Sequence, residues 1–236
     1  MVVPARDEEE LLPRCLDALA VARAVAADAG LEVALHVVAD ACSDGTAAVA
    51  AHRPGVETLV SSVGRVGAAR RAGVDVALRG CPDPRQLWLA STDADCVVPP
   101  SWITDQVQLA DRGAELMLGT VDLPRPDRGD VRFEGWRRAY LARITASGRH
   151  SHVHGANLGV RASTYLAVGG WSGTAAHEDV ALAAAVRRLT PQGVATCAGI
   201  PVMTSARLHG RAPVGVADDL RRAVAQTLSL QVGLAS

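Results

Sequence analysis

Two carboxylates spaced two residues apart are the chain's most suggestive chemistry. Asp93 and Asp95 stand in Ser91-Thr92-Asp93-Ala94-Asp95, directly after the apolar run Leu87-Trp88-Leu89-Ala90. On extended backbone such positions point the same way. Aligned like charges repel unless a cation lies between them, and oxygen donors suit hard divalent ions such as Mg²⁺. Such an ion keeps part of its water and takes phosphate oxygens as further ligands. In isolation the same pair also reads as a solvated acidic turn. A second acidic pair, Glu178-Asp179, follows His177. It can do acid-base work, or it can simply open a helix, where the dipole favours acids. His150, His152 and His154 crowd the stretch before Gly155-Ala156-Asn157. Their spacing invites zinc, but no Cys or carboxylate completes a tetrahedral set. They read instead as a flexible loop shaping a ligand pocket, with His154, Gly155, Ala156 and Asn157 in its wall.

Placing these groups together needs a sheet edge. The run before Asp93 is short, and Pro99-Pro100 bars a helix through it, so it reads as a buried strand. Ligands of open α/β sheets bind at the strands' C-terminal ends. Upstream, Val2-Val3 reads as a strand, and a helix beginning near Leu11 is stopped by Gly30. Val33 to Ala39 is a strand ending at Asp40, with Ser43 to Thr46 as turn and cap into the helix Ala47 to His52. Val56 to Val60 is a third strand, and Gly64-Arg65-Val66-Gly67 opens a helix over Ala68 to Leu78. This alternation predicts an α/β fold, a doubly wound, mostly parallel sheet flanked by helices. Further on, the pattern predicts a helix from Ser101 and a strand over Glu115 to Gly119. A proline-rich break at Leu123 to Asp130 follows, then a helix over Val131 to Ser147 and a strand at Asn157 to Arg161. A helix near Glu178, a strand over Val194 to Met203 and a helix from Val216 complete the chain. The expected organisation is one continuous domain, with a ligand-binding half over 1–122 and a second half over 123–236.

Composition narrows the class. The chain has 236 residues, 49% hydrophobic and 21% charged, enough for a sizeable core. The net charge of -1 gives no electrostatic case for nucleic acid. The five cysteines are scattered without zinc spacing, which fits reduced thiols in the cytoplasm. No signal peptide opens the chain and no apolar run is long enough to span a bilayer. Phe133, Trp136, Tyr140 and Ile144 form a helical stripe among Arg137, Arg138 and Arg143. It can lie on a membrane surface or pack over the second half, and packing is the expectation.

The segments VVPARDEE, VADACSDGT, GRVGAAR, STDAD, GANLGVR, GGW and HEDVAL occur in this order. Together they resemble the family 2 glycosyltransferases, nucleotide-sugar enzymes of the glycosyltransferase A-type, Rossmann-like fold, over nearly the whole chain. The resemblance implies that Pro4, Ala5, Arg6 and Glu8 hold the nucleotide and that Asp40 hydrogen-bonds the base. The family's second acid is Ala39 here, which leaves UDP and GDP both open. It implies that Gly67 and Arg70 serve the diphosphate side. Asp95 ligates a metal, Mg²⁺ or Mn²⁺, while Asp93 touches ribose or the metal through water. Asp179, beside Glu178, becomes the general base of an inverting transfer. His209 is the candidate third metal ligand, though a lone His is more often structural or exposed. His154 to Asn157 then wall the donor-sugar or acceptor pocket. The Q-x-x-R-W element and membrane helices of processive synthases are missing, so a single transfer to a small, lipid-linked or glycan acceptor is expected, with peripheral membrane contact as an added option. A nucleotidyltransferase would want a glycine-rich basic loop after the first strand, and P-A-R-D-E-E is not one.

Overall fold

The computed structural model describes residues 1–124, 130–174, 176–210 and 215–233. Strand and helix alternate from the start: β1 (Val2–Ala5), α1 (Leu12–Asp28), β2 (Leu35–Asp40), α2 (Thr46–Ala51), β3 (Val56–Ser61), α3 (Val66–Arg79) and β4 (Trp88–Ser91). β1 pairs parallel with β2 and β4, and β2 with β3. The rest of the chain then weaves into the same sheet. It supplies β5 (Cys96–Val97), α4 (Trp102–Asp111), β6 (Leu116–Asp122), α5 (Val131–Leu141), β7 (Leu158–Arg161), α6 (Ala162–Ala167), α7 (Glu178–Leu189), β8 (Val194–Thr204) and α8 (Val216–Gly233). The sheet order is β3-β2-β1-β4-β7-β6-β8-β5. β7 runs antiparallel between β4 and β6, β8 lies parallel to β6, and β5 closes antiparallel on β8. The α/β reading therefore holds, with a mixed sheet. The inserted β7 is what carries the histidine stretch to the Asp93 edge.

Side-chain alternation explains the two helical layers. Val3, Ala5, Val37 and Ala90 face one way, onto Leu12, Leu16 and Leu19 of α1 and Trp102 of α4. Val2, Leu89, Leu158 and Val160 face the other way, onto Val74 of α3, Tyr165 of α6 and Leu182 and Val186 of α7. Both faces are covered, as a largely parallel sheet requires.

One reading changes, two short elements are added, and the aromatic stripe packs as expected. The helix expected over 131–147 ends at Leu141. Thr145 N then donates to Arg149 O and Arg149 N to Thr145 Oγ1 around a left-handed Gly148, because Ser-Gly turn chemistry outweighs the apolar pattern. β5 and α6 were too short to carry a periodic signal. The aromatic stripe of α5 packs inward, with Phe133 against Leu123 and Leu220 of α8. Residues 125–129 of the proline-rich break lie outside the described residues. Among the described residues no helix is long and apolar enough to cross a membrane.

Candidate active site

β4 ends at Ser91, and the turn into β5 presents Asp93 and Asp95 at the sheet's C-terminal edge. Each acid meets an arginine. Asp93 Oδ1 lies 2.5 Å from Arg70 Nη2. Asp95 Oδ2 accepts from Ser205 Oγ at 2.7 Å and lies 3.0 Å from Arg207 Nη2. Burial pushes the Asp93 carboxyl up to about 6; Arg70 opposes this, while Asp95 and Glu178 add to it.

Arg70 projects from α3 and is 2% exposed. Its Nε donates to Ser91 Oγ at 3.0 Å, and its two terminal nitrogens hold Asp93 and Glu178. The guanidinium sits 5.1 Å over the Trp171 ring. A Cβ at Gly155 would collide with that guanidinium, so glycine there is a condition of Arg70's position. Arg70 lines the cleft and is also the internal counter-ion of two acids, because burying acids demands a cation. Gly67 is placed differently. It does not line the cleft, and its missing side chain makes room for the Ser172 carbonyl and Glu178.

The first loop carries Pro4, Ala5, Arg6 and Glu8 along the cleft. Glu8 is 5% exposed; its N–H donates to Thr46 Oγ1 at 2.7 Å and its carboxylate holds Arg207. Asp40, at the end of β2, accepts from Gly64 N at 3.1 Å and Arg65 N at 2.9 Å. It thereby hangs the loop before α3 on β2. Asp44 caps α2 by accepting from Thr46 N at 2.9 Å.

On the far wall His154, Gly155 and Ala156 line the cleft, and Asn157 does not. Asn157 is 0% exposed. Its amide donates to Thr120 O and Ile200 O, both at 2.8 Å, and accepts from Trp102 Nε1 at 2.9 Å. It pins β6 to β8, a demand no local sequence signal announces. Asp179, in the first turn of α7, accepts from Gly155 N at 2.9 Å and from Val180 N at 2.7 Å. Glu178 is held by Arg70, whereas Asp179 has no cation partner among the described residues. Asp7, Ala41 and His177 adopt left-handed backbone, at φ 51, 54 and 60°, in turns around this cleft. Strain of that kind in non-glycine residues gathers at functional sites.

A model of glycosyl transferase family 2 matches residues 1–163. The chain belongs to glycosyl transferase family 2. It is accordingly a glycosyltransferase, an enzyme using a nucleotide-sugar donor. No curated protein matches its sequence. Solved structures share the fold at low identity. One is the mannosyltransferase PcManGT of Pyrobaculum calidifontis, described with GDP-Man and Mn²⁺. It has 19% identity and a TM-score of 0.60, over 89% of this chain and 57% of that one. Another is mannosyl-3-phosphoglycerate synthase of Rubrobacter xylanophilus, at 17% identity and TM-score 0.54, over 98% and 73%. A 4-diphosphocytidyl-2C-methyl-D-erythritol synthase shares it too, at 15% identity and TM-score 0.51, over 94% and 96%.

In this glycosyltransferase the cleft encloses about 620 Å³, within the usual range for small-molecule sites. Asp93, Asp95 and Cys96 bring ligand atoms within 4.8 Å of one another. Burial raises the Cys96 thiol well above its ordinary range, and of the three donors the two carboxylates are the hard oxygens. That hard oxygen set fits Mg²⁺ or Mn²⁺. His209 is exposed and stands outside this group. The basic partner of Asp95 is Arg207, which sequence reasoning missed. The signal was its place just past the end of β8, on the edge where Asp93 and Asp95 follow β4. Arg65, Ser205 and Arg222 also line the cleft without having been expected.

Proposed function

We propose that the protein transfers a sugar from a nucleoside diphosphate donor to an acceptor hydroxyl, once per encounter and with inversion, using Asp179 as general base. The observation that carries this reading is the division of labour within Glu178-Asp179. Glu178 is neutralised by Arg70, and Asp179 opens on the cleft without a cation partner among the described residues. A carboxylate so placed can accept a proton from a bound hydroxyl.

The nucleotide lies along Pro4, Ala5, Arg6 and Glu8, with Asp40 and the Gly64-Arg65 turn at the base. Asp40's carboxylate can also accept a ring N–H, which uracil and guanine both present, so UDP and GDP are the candidates. Asp93 and Asp95 would hold a divalent cation, which would supply charge stabilisation to the leaving diphosphate. The mannosyltransferase of similar fold, described with GDP-Man and Mn²⁺, is a precedent for such a donor and metal. Gly155 and Ala156 bound the space beside the transferred sugar. The acceptor oxygen forms its bond to the anomeric carbon, the bond to the diphosphate oxygen breaks on the opposite face, and the hydroxyl proton passes to Asp179.

A panel of UDP- and GDP-sugars with Mn²⁺, assayed for nucleotide release and for product anomeric configuration by NMR, tests this. Inverted product from one donor class is expected. Retained configuration would sink the role of Asp179, and failure to bind either nucleotide diphosphate in calorimetry would sink the reading as a whole.

A further inference from the structure

Tyr140, at the end of α5, is held from every side. Its ring stacks on His152 at 3.8 Å between centroids and 11° between planes, and on Trp136 at 5.0 Å. His152 Nε2 lies 3.0 Å from the Tyr140 carbonyl. The phenol oxygen is thereby fixed between two partners, Val121 N and His154 Nε2, both at 3.0 Å.

Counting protons at that oxygen decides the state of His154. A backbone N–H can only donate, so Val121 occupies an acceptor site on Oη. Oη has one proton of its own. If His154 Nε2 also carried a proton, Oη would accept twice and its own hydrogen would be buried with no acceptor among the described residues. That arrangement forfeits a buried hydrogen bond. The consistent pattern is Oη–H donating to Nε2, which puts the imidazole proton on Nδ1. Burial lowers the His154 pKa to about 4, with His152 adding and Asp179 opposing, so the ring is neutral near pH 7. His154 lines the cleft, and the next residue's N–H is bonded to Asp179 Oδ2 at 2.9 Å. Nδ1 has no partner among the described residues.

We infer that His154 is a substrate-contacting hydrogen-bond donor, its proton fixed on Nδ1 by Tyr140, that holds a hydroxyl oxygen beside Asp179. This rests on the glycosyl-transfer reading and adds a residue pair to it. Tyr140 is a positioning residue: it touches no substrate and acts by choosing the tautomer. A neutral donor suits this place, because an imidazolium next to Asp179 would weaken the carboxylate as a base.

Nitrogen-15 NMR of the histidine-labelled protein near pH 7 reads the tautomer directly and needs no substrate. The expected result is a protonated Nδ1 and an unprotonated Nε2 for His154. In Tyr140→Phe the proton should move toward Nε2, which free imidazole favours, a change that loss of packing alone would not produce. Two further variants read function. His154→Asn keeps an amide N–H near the position of Nδ1, whereas His154→Gln places its amide nearer Nε2. Transfer by His154→Gln should fall roughly tenfold below that of His154→Asn, the effect of losing one neutral hydrogen bond. Both should retain nucleotide diphosphate binding. If the oxygen belongs to the donor sugar, slow donor hydrolysis falls with transfer; if it belongs to the acceptor, transfer alone falls. A protonated Nε2 in the parent protein, or equal transfer by the Asn and Gln variants, overturns the inference. A parent that binds no nucleotide would instead count against the glycosyl-transfer reading, and the tautomer measurement would still decide the Tyr140–His154 relation.

Discussion

The Arg207 guanidinium grips Glu8 with both terminal nitrogens, at 2.7 and 2.8 Å, across 199 residues of chain. It also reaches Asp95 at 3.0 Å. One side chain past the last strand thus fastens the first loop to the D-x-D turn. The two-pronged geometry is one that arginine supplies and lysine does not. Arg207→Ala leaves Glu8 buried without this cation and should cost about 3 kcal/mol, the low end for breaking a buried pair, since part of Arg207 reaches solvent. Arg207→Lys should recover only part of that. Urea unfolding measures both, and a loss under about 1 kcal/mol for the alanine variant would demote the pair to an ordinary surface contact.

Arg70 stands between Asp93 and Glu178 deeper in the same edge. Arg70→Met leaves both acids near one another without their cation and should cost about 3–5 kcal/mol. Adding Glu178→Gln should return about 1 kcal/mol or more, as contacting charges couple in a double-mutant cycle. Additive losses in denaturant titrations would mean that the two residues do not share one interaction.

Much of this arrangement is legible in the sequence, for a physical reason. Short apolar runs ended by polar turns encode the β1 to β4 half, because each element's pattern is local. Asp93, Asp95 and Asp179 are visible because these acids directly follow a strand or open a helix, places a local pattern marks. Asn157 and Gly67 were read toward the ligand and in fact face the protein. Nothing within a few residues of Asn157 reveals that Thr120, Ile200 and Trp102 will surround it. Arg207 was overlooked for the converse reason: its partners Glu8 and Asp95 are far away in the chain. The short β5 and α6 lie below the length at which periodicity carries information.

Asp40 orders the loop before α3 and is the proposed partner of the nucleotide base. It is buried and accepts two backbone N–H groups, from Gly64 and Arg65. A hydrogen bond to a charged acceptor is worth about 1.5–3 kcal/mol, so Asp40→Ala should loosen the loop and lower stability as well as affinity. Calorimetry with UDP and GDP in Mn²⁺ should find affinity down by roughly tenfold or more. Unchanged affinity in a folded variant would place the base elsewhere.

Acid should destabilise the protein early. Burial lowers the pKa values of His36, His150, His152 and His154, the last to about 4. Arg143 adds to the lowering at His152 and His154 and Arg187 at His150, while Asp179 opposes it at His154. Unfolded, each takes a proton near 6.5. Below that pH the unfolded chain binds more protons than the native one, so the histidine contribution is whole above about 6.5 and drains away as pH falls toward 4. Melting temperature should therefore drop over that window. His152→Gln keeps an N–H for the Tyr140 carbonyl yet cannot be protonated, and should flatten the slope. An identical slope in the variant would remove His152 from the account.

The proposed base, Asp179, gives the last prediction. Asp179→Asn is nearly isosteric and can still accept from Gly155 N through its carbonyl oxygen, so the wall it supports should stay in place. It cannot take up the acceptor's proton. The loss should appear in kcat, by roughly 10²–10⁴-fold, with donor affinity nearly unchanged. Glu178→Gln is the control, because acids that merely start a helix would behave alike. Glu178 answers to Arg70, so its variant should lose stability and keep far more turnover than Asp179→Asn. Until an acceptor is found, slow donor hydrolysis serves as the assay. Near-parental transfer by Asp179→Asn to an identified acceptor would refute the assignment, and it would make retention of configuration the next outcome to test.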